Sequence, residues 1–206
     1  MEEEQLKVFD KKRVQIGIAT RSEVHEKGLW HETFHCWIVS KQDGQLYLYL
    51  QIRSPLKKDY PNLLDITAAG HLLAHEEIVD GIREMEEEIG IYARMEELTY
   101  LGVLNYEMNN GNLLDKEFAH TFLYKRNIGF DEFHLQEEEV AGIVSTRLED
   151  FYALWEGTKQ LIEVVGFERK ESGQREMIQR QVGQENFAPH PISYYNRLIQ
   201  ALKENL

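Results

Sequence analysis

The sequence predicts an α/β (α+β) sandwich, in which strands and helices form separate layers about one core. Three observations carry this. Alternating apolar segments lie on both sides of a central amphipathic helix, Asp43-Gly44 gives a strong hairpin signal between two of them, and helical patterns return late in the chain. At 42% hydrophobic and 29% charged residues, the 206-residue chain has enough apolar material for one domain with a proper core.

The elements follow in order. Residues 1–11 are charged and read as a frayed or short N-terminal arm. Residues 14–20 alternate and give a first strand; 21–27 give a short helical turn closed by Gly28. Residues 33–40 and 45–53 flank Asp43-Gly44 as a hairpin, with Cys36 inside the first strand as a small buried hydrophobe. Gly70 opens a tight loop that feeds the central helix. There Ile78, Ile82, Met85 and Ile89 recur at steps of four, three and four, which puts them on one face. Gly81 weakens that helix by about 1 kcal/mol, and Gly90 supplies its stop.

Residues 98–106 and 117–125 are two more strands, joined through a polar turn at Asn109-Asn110-Gly111-Asn112. An acidic loop, Gln136 to Glu139, precedes a strand at 140–144, and 148–155 is a short helix. Residues 169–184 are charged and read as a helix or a mobile segment, ended by Pro189 and Pro191. A final amphipathic helix over 193–206 places Leu198, Ile199 and Leu202 on one side, either packed over a cleft or forming a homodimer surface. The main domain is expected over 12–165, with 166–206 as a helical extension packed on it.

Composition narrows the function. A net charge of −13 argues against a nucleic-acid partner, which asks for a basic face. No apolar run is long enough to span a bilayer, and the acidic N-terminus is not a signal peptide. A single cysteine excludes an intramolecular disulfide and fits a reducing, cytoplasmic compartment. An acidic enzyme whose phosphorylated small-molecule substrate arrives with divalent metal fits all of this.

On the central helix, Glu84, Glu87 and Glu88 fall within an arc of about 100°, with Arg83 on its flank. Like charges at this spacing repel. They form either a solvated acidic face or a set of hard oxygen ligands for Mg²⁺ or Mn²⁺. The ordered set Arg83-Glu84-Met85-Glu86-Glu87-Glu88-Ile89-Gly90-Ile91 resembles the second half of the Nudix box, Arg-Glu-apolar-x-Glu-Glu-x-Gly-apolar. Upstream, Gly70 and Glu76 match its first Gly and Glu. One departure is that six residues, not seven, separate Glu76 from Arg83, so either Glu76 or Glu77 takes the role of that first Glu.

The resemblance implies the Nudix fold, a mixed sheet between helices, and a hydrolase acting on phosphorus anhydrides. It implies that Glu84, Glu87 and Glu88 hold Mg²⁺ or Mn²⁺, with Arg83 orienting them. Gly70 would allow close backbone approach, and Glu137, Glu138 or Glu139, with Glu138 first, would act as base or extra ligand. Residues 20–31, with Arg53, Lys57 and Pro61, resemble the branch containing isopentenyl diphosphate isomerases and their hydrolase relatives; there Arg53 and Lys57 would hold a diphosphate. In the isomerases a catalytic cysteine precedes the Gly-His pair, and here that position is Ala69. The same branch binds a metal through histidines and acids at places similar to His25, His31, His71, Asp115 and Glu117.

The expected function is hydrolysis of a nucleoside- or thiamine-type diphosphate. Isomerase-like activity and a non-catalytic diphosphate-binding module are the alternatives. Trp30, Tyr60, Tyr106 and Phe187 are candidates to stack on an organic ring.

Overall fold

The computed structural model describes residues 3–110, 113–170 and 172–206. The chain opens with strands β1 (Gln5–Phe9) and β2 (Gln15–Thr20), then helix α1 (Arg21–Lys27). The long strand β3 (Trp30–Gln42) turns into β4 (Gln45–Arg53), followed by the short β5 (Leu64–Asp65) and β6 (Ala68–His71). A 3₁₀ turn at Ile78–Ile82 leads into α2 (Arg83–Ile89). The hairpin β7 (Leu98–Asn110) and β8 (Leu113–Lys125) comes next, then β9 (Val140–Arg147) and α3 (Leu148–Trp155). A second hairpin, β10 (Ile162–Arg169) and β11 (Arg175–Val182), precedes α4 (Ile192–Asn205).

One mixed sheet contains every strand, and β3 lies at its centre. Trp30–Val39 pairs in parallel with β8, Thr33–Cys36 pairs antiparallel with β6, and the far end pairs antiparallel with β4. With neighbours on both faces, β3 is buried along nearly its whole length up to Ser40, and its most apolar run is Cys36–Val39. Its side chains alternate between two cores. Phe34, Cys36 and Ile38 join Met85 and Ile89 of α2 with Phe122 and Phe133. Trp37 and Val39 join Leu48, Leu50, Phe151, Trp155 and the α4 residues Tyr194 and Leu198 on the opposite side. The hairpin turn has Asp43 at φ 48° and Gly44 at φ 83°, the left-handed pair that a two-residue turn needs.

Four expectations change. Gln5–Phe9, read as part of a frayed arm, pairs with β2 along its length and with β3 at Phe9. Leu6 and Val8 are buried there. Within the charged stretch 169–184, Arg169 ends β10 and Arg175–Val182 forms the edge strand β11 rather than a helix, tied by Arg180 to Glu168 and by Lys170 to Glu176 at 3.0 Å. An edge strand exposed on both faces carries charge on both, so its sequence lacks alternation. Gly70 sits in β6 rather than in a loop. The apolar stripe of α4 is spent inside the chain, with Leu198, Ile199 and Leu202 all buried, so it does not supply a homodimer surface.

The predicted turn after Asn109 includes residues 111 and 112, which lie outside the described residues. No helix among the described residues is long and apolar enough to cross a membrane.

Candidate active site

The box helix places its apolar face as its periodicity predicts: Met85 and Ile89 are core residues, with Ile78 and Ile82 packed against them. Gly90 at φ 69° caps it, donating back to the Glu86 carbonyl at 3.0 Å. The opposite face turns toward β6. Glu88 is buried there and accepts from the Ala69 N–H at 3.0 Å. Glu84 is buried against Gly70, where a Cβ would lie 2.1 Å from the Glu84 carboxyl carbon. The close approach that Gly70 permits is therefore made by this carboxylate. Gly70→Ala is expected to displace Glu84 and lower turnover about tenfold or more with the fold retained; turnover assays alongside circular dichroism check this.

Arg83 binds the group together. Its guanidinium donates to Glu76 at 2.5 and 3.0 Å, to Glu84 at 2.6 Å, to Glu87 at 2.9 Å and to the His71 carbonyl at 3.2 Å. Glu76 also accepts the Leu73 N–H at 2.8 Å. Burial pushes Glu76 up, but the fork of Arg83 and that N–H outweigh it and hold its pKa below the usual value. Glu77 is exposed and pairs with Lys7, so of the two it is Glu76 that Arg83 gathers with the box carboxylates. Glu84 and Glu88 are both pushed up. Burial is the main cause for each; Glu87 adds to it for Glu84 against the pull of Arg83, and Glu84 adds to it for Glu88. Glu87 is the exposed member of the three.

These side chains form one wall of a cavity of about 520 Å³. Arg53 and Lys57 line it too, each already paired: Arg53 with Asp65 at 2.8 Å and with the Asp59 carbonyl, Lys57 with Glu139. In the acidic loop Glu138 is exposed and does not line the cavity, whereas Glu139 does. The turn that begins β9, in which the Glu139 N–H donates to Gln136, sends Glu139 inward and leaves Glu138 outside.

A second cluster adjoins the same cavity: His25, His71, Asp115 and Glu117 line it, and the fully buried His31 sits behind them. His25 of α1, His31 of β3 and His71 of β6 bring their rings within 5.0 to 5.3 Å of one another. Asp115 and Glu117 of β8 face them, with Asp115 3.7 Å from His25 and 3.6 Å from His31. Burial holds all three imidazoles below their ordinary pKa, with neighbouring imidazoles or Arg21 adding to it. His31 Nδ1 is 3.1 Å from the Leu29 carbonyl, which turns Nε2 toward the cluster. His31 Nε2, His71 Nε2 and Asp115 Oδ1 are buried without a hydrogen-bond partner among the described residues. The ligand atoms fall into two triads that share His31, His25–His31–His71 and His31–Asp115–Glu117, and imidazoles and orphaned lone pairs gathered this way fit a metal ion. Two further histidines, each four residues after a member of the cluster, stay out of it: His35 bonds Glu117 and Tyr194, and His75 is exposed.

Of the aromatics considered for ring stacking, Tyr60 and Tyr106 line the cavity. Trp30 stacks on Phe118 and Phe187 is core. Sequence reasoning missed Asp65 and His190, which also line the cavity. For Asp65 no local pattern exists, since it sits in an ordinary strand position; His190 stands out only as the centre of Pro189-His190-Pro191.

Residues 29–165 match the NUDIX domain family. Over 205 residues, and over the full length of both chains, the protein is 36% identical to an uncharacterised Nudix hydrolase of Clostridium acetobutylicum. It is 32% identical over 130 residues to an isopentenyl-diphosphate Delta-isomerase of Aliivibrio fischeri, covering 62% of this chain and 71% of that one. The MutT protein of Methanosarcina mazei shares the fold, with a TM-score of 0.55 at 16% identity over 85% of this chain and 95% of the other. With the box carboxylates gathered on Arg83 in a cavity wall, and with a family match over two thirds of its length, the chain belongs to the Nudix family.

Proposed function

We propose that this Nudix hydrolase, an enzyme acting on phosphorus anhydrides, cleaves the diphosphate linkage of a small organic diphosphate with the help of Mg²⁺ or Mn²⁺. One observation supports this above the others: ten carboxylates face only four Arg or Lys side chains around the cavity, and three of the ten are the Arg83-bound group of the box. Such a wall repels a diphosphate unless divalent cations intervene.

Glu84, Glu87 and Glu88 would hold those cations, which supply charge neutralisation for the diphosphate and lower the pKa of a water. The chain's own residues do the rest. Arg83 fixes the carboxylates so that they need no reorganisation when a cation arrives. Arg53 and Lys57, held at the cavity wall by acidic partners, turn their remaining donors to phosphate oxygens. Glu139, in place of the expected Glu138, is the carboxylate positioned to take a proton from the attacking water. A phosphate-release screen over nucleoside diphosphates, thiamine diphosphate and a prenyl diphosphate, with Mg²⁺ or Mn²⁺ and with chelator, tests the reading. Metal-dependent release from at least one is expected; silence across the panel refutes it.

His25, His31, His71, Asp115 and Glu117 would hold a further cation, a nitrogen- and oxygen-donor set suited to Mn²⁺ or Zn²⁺. His31→Gln is expected to lose one bound metal per chain in equilibrium dialysis, while Glu88→Gln keeps it; equal metal content in both variants would count against the centre. Ala68 and Ala69 cannot move a proton at carbon, so isomerisation of isopentenyl diphosphate is expected to give no allylic product.

A further inference from the structure

The main path of the sheet runs from β11 at one end to β2 at the other, and the two end strands are built differently. β11 carries charge on both faces. β2 pairs only with β1 among the described residues, and no charged residue falls between Val14 and Thr20. Val14, Ile16 and Ile18 recur at every second residue and are 57%, 64% and 55% exposed. The other face of the strand is taken up inside the chain: Ala19 pairs with Leu6 and both are buried around Val24, while Gly17 pairs with Val8. An exposed apolar edge is a template for a further strand, and the usual guard against it is charge.

The backbone of β2 is turned for such pairing. A register shift against β1 at Val8 and Phe9 leaves Gly17–Thr20 regularly paired. The Arg21 N–H donates to the Glu4 carbonyl at 2.8 Å. Counting along the register from there, Leu6–Ala19 and Val8–Gly17 exchange hydrogen bonds, and Lys7–Ile18 does not. The N–H and C=O of Ile18 therefore point away from β1, along the free edge.

We propose that the free edge of β2 binds a second copy of this chain, extending the sheet across a two-fold axis at Gly17. An antiparallel copy related in this way sets Ile16 of each chain beside Ile18 of the other, apolar against apolar. Gly17 meets Gly17 as a non-hydrogen-bonded pair, where Cα atoms approach to about 4.5 Å and no side chain stands between them. Charge is complementary beyond both ends of the ladder. Lys11 and Lys12 are exposed in the turn before β2, and Glu23 and Glu26 reach the surface of α1 after it. The two-fold brings the lysine turn of each copy to the acidic turn of the other. Arg13 and Arg21 are held within the chain by Glu32 and Glu4 and do not offset this. No residue of β2 lines the cavity, so the pairing stands apart from the hydrolase reading. The strand is short, so the contact falls at or below the roughly 1,200 Å² where standard interfaces begin, and a dissociation constant of about 1–100 μM is expected.

Sedimentation velocity of the full-length protein from about 1 to 500 μM tests this. The wild type is expected to pass from monomer to dimer over that range. Ile18→Lys, a change at an exposed position, is expected to stay monomeric at 500 μM and to melt within about 2 °C of the wild type at 1 μM. Lys11→Glu with Lys12→Glu is expected to weaken association about tenfold, and adding Glu23→Lys with Glu26→Lys to restore it. The Ile18 amide is expected to exchange its hydrogen at least about fivefold more slowly at 500 μM than at 1 μM in the wild type, and equally at both in Ile18→Lys at its new lysine. A wild type that stays monomeric at 500 μM, a dimer that Ile18→Lys leaves intact, charge swaps that do not compensate, or assembly that grows past two copies would overturn the proposal.

Discussion

Glu88→Gln is expected to lower phosphate release by about a hundredfold or more while making the metal-free protein more stable. Disturbing a group behind a metal ligand typically costs about 10- to 100-fold, and Glu88 is proposed as a ligand itself. Gln has the same shape and its carbonyl still accepts from the Ala69 N–H, so the fold is kept. The stability gain comes from burial. Glu88 is pushed up to about 8 and Glu84 to about 7, so the folded chain holds protons that the unfolded chain has already released at neutral pH. The stability these groups contribute is present below their ordinary value of 4.5 and is lost as pH rises through the folded-state values. The buried histidines of the second cluster act oppositely. Their pKa values are depressed, and their effect is complete once pH exceeds the ordinary 6.5. Above pH 7 the glutamates therefore dominate among these groups. Melting of the metal-free wild type should fall from pH 7 to 9, flatten in Glu88→Gln, and rise with added Mn²⁺ more in wild type than in the variant. A variant that melts lower than wild type at pH 8 without metal contradicts this account.

Arg83→Lys is the second large effect, and here activity and stability fall together. One guanidinium serves Glu76, Glu84 and Glu87 through separate N–H groups, two of them bidentate to Glu76. A lysine ammonium is a point charge and cannot span three carboxylates. Breaking a fully buried ion pair costs about 3–5 kcal/mol. Arg83 is 26% exposed, which lowers the expectation to about 2 kcal/mol. For a chain of this size that is a melting shift of about 4–8 °C. Turnover should drop about 10- to 100-fold, because the carboxylates lose their orienting partner. Thermal unfolding and steady-state assays on the same preparation check both; an unchanged melting temperature would show that Glu76 is held by other means.

The parts of the molecule governed by local periodicity were legible. Met85 and Ile89 declared the buried face of α2, with Ile78 and Ile82 packed beside them from the 3₁₀ turn, Leu148–Trp155 declared α3, and Asp43-Gly44 declared its hairpin, because helix phase and turn dihedrals are set by neighbours in sequence. Where tertiary pairing decides, the sequence was silent. Arg175–Val182 is a strand only because β10 pairs with it; its exposed faces leave no alternation to read. Gln5–Phe9 is too short for a pattern to outweigh the charges before it. The choice between Glu138 and Glu139 turned on the direction of one tight turn. Asp115 and Glu117 were read with the three histidines only through the isomerase resemblance. No linear spacing encodes that grouping, since its members come from α1, β3, β6 and β8.

The parallel pairing of β3 with β8 also carries a kinetic consequence. Trp30 is matched to Lys116 and Val39 to Lys125, so each rung of that ladder closes a long loop of chain. Non-local parallel pairing is intrinsically slow, whereas the β7–β8 hairpin assembles from neighbours in sequence. The hairpin is therefore expected to form early and dock late. Until it docks, His31 and Asp115 belong to separate pieces of an unfinished molecule, and a cation added during refolding finds its full donor set only at the last step.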